Sequence, residues 1–243
     1  MSKRRAIMNW SGGKDSALAL YYASRSEHFT GYQLLTNINE QLGRVSMHGV
    51  RTELLIAQAN RLRLPLEMLR LPGDVSMEVY NTCMQIMMQT FANQGMTDAI
   101  FGDILLEDLR LYREKQLQQA GIKPWFPLWQ RNTTELIHEF VDLGFRAVLV
   151  CVNAEKLSRD FVGEELTLDL IKEFPETVDP CGENGEYHSF VYDAPNFLSP
   201  IAYQKGEVVH RTYASAIDTD SHNSEPVNRW DIGFWYQDLL LNE

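Results

Sequence analysis

Six consecutive residues, Ser11-Gly12-Gly13-Lys14-Asp15-Ser16, constrain this chain more than any other stretch. A short apolar run, Ala6 to Trp10, leads into them, and a segment with helical spacing, Ala17 to Ser24, follows. A strand, a tight turn and a helix start are therefore stacked in one place. Paired glycines admit backbone angles closed to other residues, so successive N–H groups can face one concavity. The helix start adds unpaired N–H groups and the positive end of its dipole. Lys14 contributes a cation, and Ser11 and Ser16 contribute hydroxyls. This is the composition of a phosphate cradle. The plainer alternative is a glycine turn leading into a capped helix.

The spacing is not that of the common P-loop, in which Ser or Thr follows a Gly-Lys pair and another Gly stands upstream. Here Asp15 follows the Lys, and Met8 occupies the upstream glycine position. The run resembles instead the PP-loop, Ser-Gly-Gly-x-Asp-Ser, of the ATP pyrophosphatases, which cleave ATP between its α and β phosphates. That resemblance implies an α/β chain that opens with a Rossmann-like parallel-sheet domain (adenine nucleotide alpha hydrolase-like). It also implies ATP with Mg²⁺ as the working nucleotide.

The rest of the chain supports such a domain. With 243 residues it can bury a sizeable core, as one large unit or two smaller ones. At 44% hydrophobic and 23% charged residues it has the composition of a soluble globular protein. No apolar run reaches the ~20 residues of a membrane helix. The basic start, Met1-Ser2-Lys3-Arg4-Arg5, runs into the loop too soon for a signal peptide. Three scattered cysteines, Cys83, Cys151 and Cys181, fit reduced thiols in a cytoplasmic protein rather than a disulfide frame. A formal net charge of −11 argues against a nucleic-acid partner. The absence of a Cys-x-x-Cys pair argues against sulfur transfer or a zinc site.

Along the chain, strands are expected at 6–10, 31–37, 66–70 and 99–101, with helices at 17–24, 50–62, 77–92 and 106–120. Alternation of this kind means βαβ units and a parallel sheet, with ligands outside the carboxyl ends of the strands where strand order reverses. The first and fourth strands are expected to flank that point, which sets Gly102-Asp103 opposite the phosphate loop. Asp103 is then a candidate for holding Mg²⁺ or orienting a substrate; a strand-end acid that caps the next helix is the alternative. The segment Pro124 to Trp129 breaks the rhythm, and the boundary between two domains, 1–128 and 129–243, is set there. Beyond it the pattern predicts a helix at 133–143, a buried strand at 145–152, a helix at 166–174, and an extended stretch at 187–192. A hairpin turning at Lys205-Gly206 and a closing strand at 230–241 complete it. Asp218, Asp220 and His222 imitate a metal site, but the polar stretch that carries them reads as a solvated loop.

A second constellation lies at Gly182-Glu183-Asn184-Gly185-Glu186-Tyr187-His188. Two glycines and an Asn make a tight turn before an extended segment. Strand alternation sets Glu186, His188 and Phe190 on one face, and Tyr187 and Ser189 on the other. Glu183, Glu186 and His188 converge near a strand start, a combination that suits a cationic substrate, ammonium or proton transfer. A surface turn with two solvated acids fits the residues as well.

In their order, Ser11 to Ser16, Met47-His48-Gly49, Gly102-Asp103, Pro127-Leu128-Trp129 and Gly182 to His188 resemble the diphthine–ammonia ligase family of PP-loop proteins. Ser189 stands where that family often has Thr, and the last fifty residues carry no motif of it. The resemblance implies a PP-loop domain followed by a smaller α/β domain for substrate recognition. The activity it implies is carboxylate adenylation by ATP, with release of AMP and pyrophosphate, then attack by ammonia. Gly12 to Asp15 with Lys14 would hold the pyrophosphate, Ser11 and Ser16 would line the loop, and Asp15 or Asp103 would hold Mg²⁺. Backbone around Leu35 to Asn37, with Thr36 at its centre, would border the nucleotide together with His48 and Gly102, while Glu183, Glu186 and His188 would serve substrate or proton. Arg110 and Arg113 lie within reach of phosphate or substrate, or are solvated helix residues. The family's substrate is diphthine on elongation factor 2. Bacteria also carry members, and there a different small carboxylate, in a cobalamin-related pathway for instance, would take its place. A nucleotide-binding protein without turnover is the remaining alternative. Oligomeric state, including a homo-oligomer, is left open.

Overall fold

The structure is a computed structural model that describes residues 4–45, 49–73, 75–213 and 232–242. His48 of the expected nucleotide border lies outside the described residues, as do Asp218, Asp220 and His222.

The first half of the chain alternates as its pattern predicts: β1 (Arg4–Asn9), α1 (Lys14–Arg25), β2 (Phe29–Asn39), a short β3 (Arg44–Val45), α2 (Thr52–Leu62), β4 (Leu66–Leu71), α3 (Met77–Asn93), β5 (Asp98–Ile100), α4 (Glu107–Gln118) and β6 (Lys123–Trp125). β1 pairs in parallel with β2 on one side and with β5 on the other. β2 pairs in parallel with β4, and β5 with β6, while β3 folds back antiparallel on the end of β2. The chain thus runs outward from β1 through β2 to β4, then returns to the centre at β5. Strand order reverses between β1 and β5, which are the first and fourth of the expected strands. Alternation along these central strands separates two apolar layers. Ala6, Met8 and Leu34 face one layer, and Ile7, Leu35 and Ala99 face the other, beneath Met88 and Phe91 of α3.

The second half holds α5 (Thr133–Asp142), β7 (Arg146–Asn153), a 3₁₀ turn (Arg159–Phe161), α6 (Leu168–Lys172), β8 (Tyr187–Asp193), β9 (Tyr203–Tyr213) and β10 (Ile232–Leu241). Its strands form one antiparallel sheet in the order β8-β7-β10-β9. Asn132 caps α5 by accepting from the Glu135 N–H at 3.0 Å, and Leu136, Ile137 and Phe140 point inward. The same apolar layer that contains Met8 and Leu18 continues through Phe140, Val148 and Phe190, so the two sheets share one core.

Three sequence expectations need correction. The segment Lys123-Pro124-Trp125 is a strand against β5, not only a break in rhythm. Proline is tolerated there because the strand lies at the sheet edge. The helix expected at 166–174 is confined to 168–172, since Leu166 N–H donates to Ala147 O and extends the second sheet instead. Lys205-Gly206 is not a hairpin turn. It lies inside the continuous β9, opposite a register shift in β10 where Gln237 Nε2 donates to Gly206 O at 2.8 Å.

Candidate active site

The turn between β1 and α1 sits at the point of strand reversal. Gly12 has φ +80°, and a Cβ there would lie 2.7 Å from both Gln58 Oε1 and Leu55 Cδ2. Gly102, just beyond β5, comes so close to α1 that a Cβ would meet backbone atoms of Asp15 and Ser16 at 2.7–2.9 Å. Both positions require glycine for physical reasons the sequence only suggested. Gln58 locks the turn from beneath. It is fully buried, accepts from Trp10 Nε1 at 2.9 Å, and donates to Gly12 O at 2.9 Å and to Val191 O at 2.7 Å. Ser11 Oγ accepts from Gly13 N–H at 3.2 Å, and Ser16 Oγ donates to Gly13 O at 3.0 Å.

β8 closes the site from the second sheet. Val191 N–H donates to Gly12 O at 2.9 Å, and Ser189 Oγ accepts from Lys14 N–H at 3.2 Å. The Tyr187 ring lies 5.4 Å from Lys14 Nζ, and its hydroxyl donates to Pro180 O at 2.6 Å. Tyr187 and Ser189 therefore form the face of β8 that meets the loop. Neither was among the site residues expected from sequence, although alternation had grouped them together. Gln58 was also missed, because nothing local marks a buried amide that acts 46 residues away.

Lys14 is buried and its Nζ donates to both oxygens of Asp15, at 2.7 and 2.8 Å. Burial by itself would lower its pKa, but Asp15, with Tyr187 and Cys181 nearby, holds the ammonium protonated above its ordinary range. Asp103 faces the loop from the end of β5 and is ion-paired to Arg113 of α4. Burial raises its pKa, Arg113 opposes the rise, and the charge of Asp15 adds to it. Glu183 is pushed up to about 7 by burial and then by Asp15, against Lys14 and a hydrogen bond from the Leu105 backbone. Five expected residues thus meet: Lys14, Asp15, Gly102, Asp103 and Glu183. Cys181, raised to about 12 by burial, lies beside them and donates to Thr133 O.

The remaining expected residues sit differently. Glu186 is fully buried and both its oxygens are engaged in its own loop, accepting from Asp179 N–H, Asn184 N–H and Asn184 Nδ2 at 2.8–3.1 Å. The structure makes it a brace for the 179–186 loop, not a group open to substrate. His188 lies on the face of β8 away from Tyr187 and Ser189. Burial, then the charge of Lys14, lowers its pKa to about 4, which suits a neutral imidazole and a poor proton acceptor. The Thr36 hydroxyl is turned inward and donates to Trp10 O, so this side chain ties β2 to β1, and it is the backbone at 35–37 that is left to border a nucleotide.

ATP fits this donor set: a glycine turn that a Cβ would fill, a helix start, a buried ammonium and hydroxyls on both sides. Among the described residues no three His, Cys, Asp or Glu side chains gather as a metal cage. A Mg²⁺ ion would therefore draw on Asp15 or Asp103 for one or two ligands and on phosphate and water for the rest.

A parallel sheet reversing beside a Gly-Gly turn, roofed by an antiparallel sheet that supplies further polar groups, defines a PP-loop nucleotide-binding α/β protein. Residues 4–124 match the family model described as the diphthamide synthase N-terminal domain, and residues 132–218 match the diphthamide synthase C-terminal domain. The chain belongs to the diphthamide synthase family. Curated relatives are named diphthine–ammonia ligase. The Schizosaccharomyces pombe protein is 34% identical over 117 residues, 46% of this chain and 19% of that relative. The Bos taurus protein is 33% and the Homo sapiens protein 32% identical over 115 residues, each match covering 44% of this chain and 42% of the relative. The match thus spans less than half the length of these relatives.

Proposed function

We propose that this protein is an ATP-dependent amide-forming ligase of the diphthine–ammonia ligase type. The observation that carries the reading is the buried Lys14 ammonium set in a glycine cradle at the strand reversal, with Glu183 beside it. In the first step a substrate carboxylate oxygen attacks the α phosphorus of ATP. The bond to the bridging oxygen breaks, and pyrophosphate leaves with an acyl-adenylate behind. In the second step ammonia attacks the acyl carbon, the bond to AMP breaks, and the nitrogen loses a proton.

Phosphoryl transfer of this kind needs positioning and charge neutralisation more than covalent help. Lys14 and the N–H groups of the loop neutralise the departing pyrophosphate. The hydroxyls of Ser11 and Ser189, which bond the amides of Gly13 and Lys14, give way to phosphate oxygens. Bound Mg²⁺ would supply further charge neutralisation at the phosphates, with Asp15 or Asp103 as its protein ligand. Glu183 stands where it can take the proton released from nitrogen, and Glu186 keeps its loop in shape. The relatives' names point to diphthine as the carboxylate and ammonia as co-substrate, and the family resemblance implies that this diphthine is carried on elongation factor 2.

Product analysis tests this. Protein, ATP, Mg²⁺ and ammonium are incubated with and without elongation factor 2 carrying diphthine, and nucleotides are separated by chromatography. AMP and pyrophosphate that depend on the factor are expected, and Lys14→Ala should lower their formation at least about 100-fold. AMP without that dependence removes diphthine and keeps the adenylating enzyme. ADP, or no product, overturns the reading.

A further inference from the structure

Among the described residues, two cations stand at the cradle, and each is held by one of its acids. Lys14 is held by Asp15. On the opposite wall, Arg113 Nη2 donates to Asp103 Oδ1 at 3.1 Å, and Arg113 Nε lies 2.7 Å from Asp103 Oδ2. That second contact is close but off alignment, so Nε and Oδ2 are both buried without a formed hydrogen bond. A guanidinium fork makes two parallel bonds to a well-placed carboxylate or phosphate, and here it makes one. The fork is nonetheless held in place, because its Cζ lies 4.5 Å from the centre of the Phe101 ring. Phe101 leads directly into Gly102, whose close approach to Asp15 and Ser16 brings this wall against the start of α1.

We propose that Arg113 is a second phosphate-binding residue of this site, and that Asp103 is the internal counter-ion which a phosphate group displaces from it. The proposal rests on the reading of the site as ATP-binding. A phosphate between the two walls offers Arg113 the bidentate partner that Asp103 provides only in part, while Lys14 meets the same ligand from the loop side. Asp103 then both competes with phosphate for the guanidinium and keeps that cation inside the cradle when phosphate leaves. No covalent bond is made or broken in this exchange.

The test is calorimetric binding of inorganic pyrophosphate, in metal-free buffer, to wild type, Asp103→Asn, Arg113→Gln and the double variant. Arg113→Gln should loosen binding about tenfold or more. Asp103→Asn should tighten it several-fold, and the double variant should bind like Arg113→Gln alone, since the gain requires the freed guanidinium. If Asp103→Asn tightens binding equally in the absence of Arg113, the acid merely repels phosphate and the proposal is overturned. It is overturned as well if both single variants weaken binding. A wild type that binds neither pyrophosphate nor ATP removes the functional reading itself, which is a different failure. Thermal midpoints identify any variant that has lost its fold. Arg113→Met, which keeps the length of the side chain and loses its charge, carries the same cycle if Arg113→Gln does not fold.

Discussion

His188 shows how far a side chain's identity falls short of its role. The sequence offers an imidazole beside carboxylates, which reads as a proton acceptor. In the structure burial and Lys14 hold its pKa near 4. This has a consequence for stability, not turnover. The folded value lies below the unfolded value of 6.5, so the unfolded chain takes up the proton first as pH falls. The stability linked to neutral His188 is complete above pH 6.5 and declines until pH 4. The loss is on the order of 3–4 kcal/mol at about 1.4 kcal/mol per unit. Urea midpoints of wild type and His188→Gln at pH 7, 5.5 and 4.5 should converge or cross toward acid, with the steeper decline in wild type. Equal slopes would show that His188 has the same pKa in both states. What the sequence lacked was the direction of β8, which is decided by the backbone bond from Val191 to Gly12 and by pairing with β7.

At the level of elements, β1, α1, β5 and the turn between them were legible because each carries its own signal. They combine glycines at special angles, apolar runs buried on both faces, and an N-terminal cluster of polar residues. β6 was not legible, since three residues containing a proline look like a breaker until a neighbouring strand pairs with them. The register shift opposite Gly206 was equally hidden, because it answers to a partner in another strand. The loop before β8 was half legible: its glycines and acids stood out, but the acids divide the work. Glu186 satisfies two backbone amides and a side-chain amide, whereas Glu183 faces Lys14 and Asp15. Glu186→Ala should therefore lower stability by roughly 2–4 kcal/mol, through amides left buried and unpaired. Glu183→Gln should leave the melting temperature within a few degrees and reduce amide formation by about 100-fold or more. Thermal melts and turnover measured on the same two preparations separate them. If Glu183→Gln melts early, or Glu186→Ala melts like wild type, the division is wrong.

For the molecule as a whole, the question is why a nucleotide loop on one sheet needs the other sheet at all. The loop turns through Gly12 with its carbonyl directed into the interior, where a polar group must be paired. Two partners meet that carbonyl, the Val191 N–H of β8 and the Gln58 amide of α2, and Gln58 also holds the Val191 carbonyl and the Trp10 indole. One side chain thus joins the end of β1, the loop and the second sheet. A second link, from Arg44 and Arg51 to Asp238 of β10, repeats the connection at the rim. Gln58→Leu keeps the volume and removes the pairing, leaving Trp10 Nε1 and Val191 O in the core unpaired and the Gly12 carbonyl with one partner. At about 1–3 kcal/mol for each unpaired group, the expected cost is about 3–5 kcal/mol. The loop should loosen with it, so ATP should bind more weakly although Gln58 belongs to the floor beneath the loop and not to its phosphate-facing side. Saturating ATP should in turn restore part of the lost stability, because a ligand that binds only the folded state pulls the equilibrium toward it. Urea denaturation with and without ATP tests both halves. A loss below about 1 kcal/mol would mean that water replaces the amide, and an unchanged ATP affinity would mean that the loop holds its shape without the second sheet.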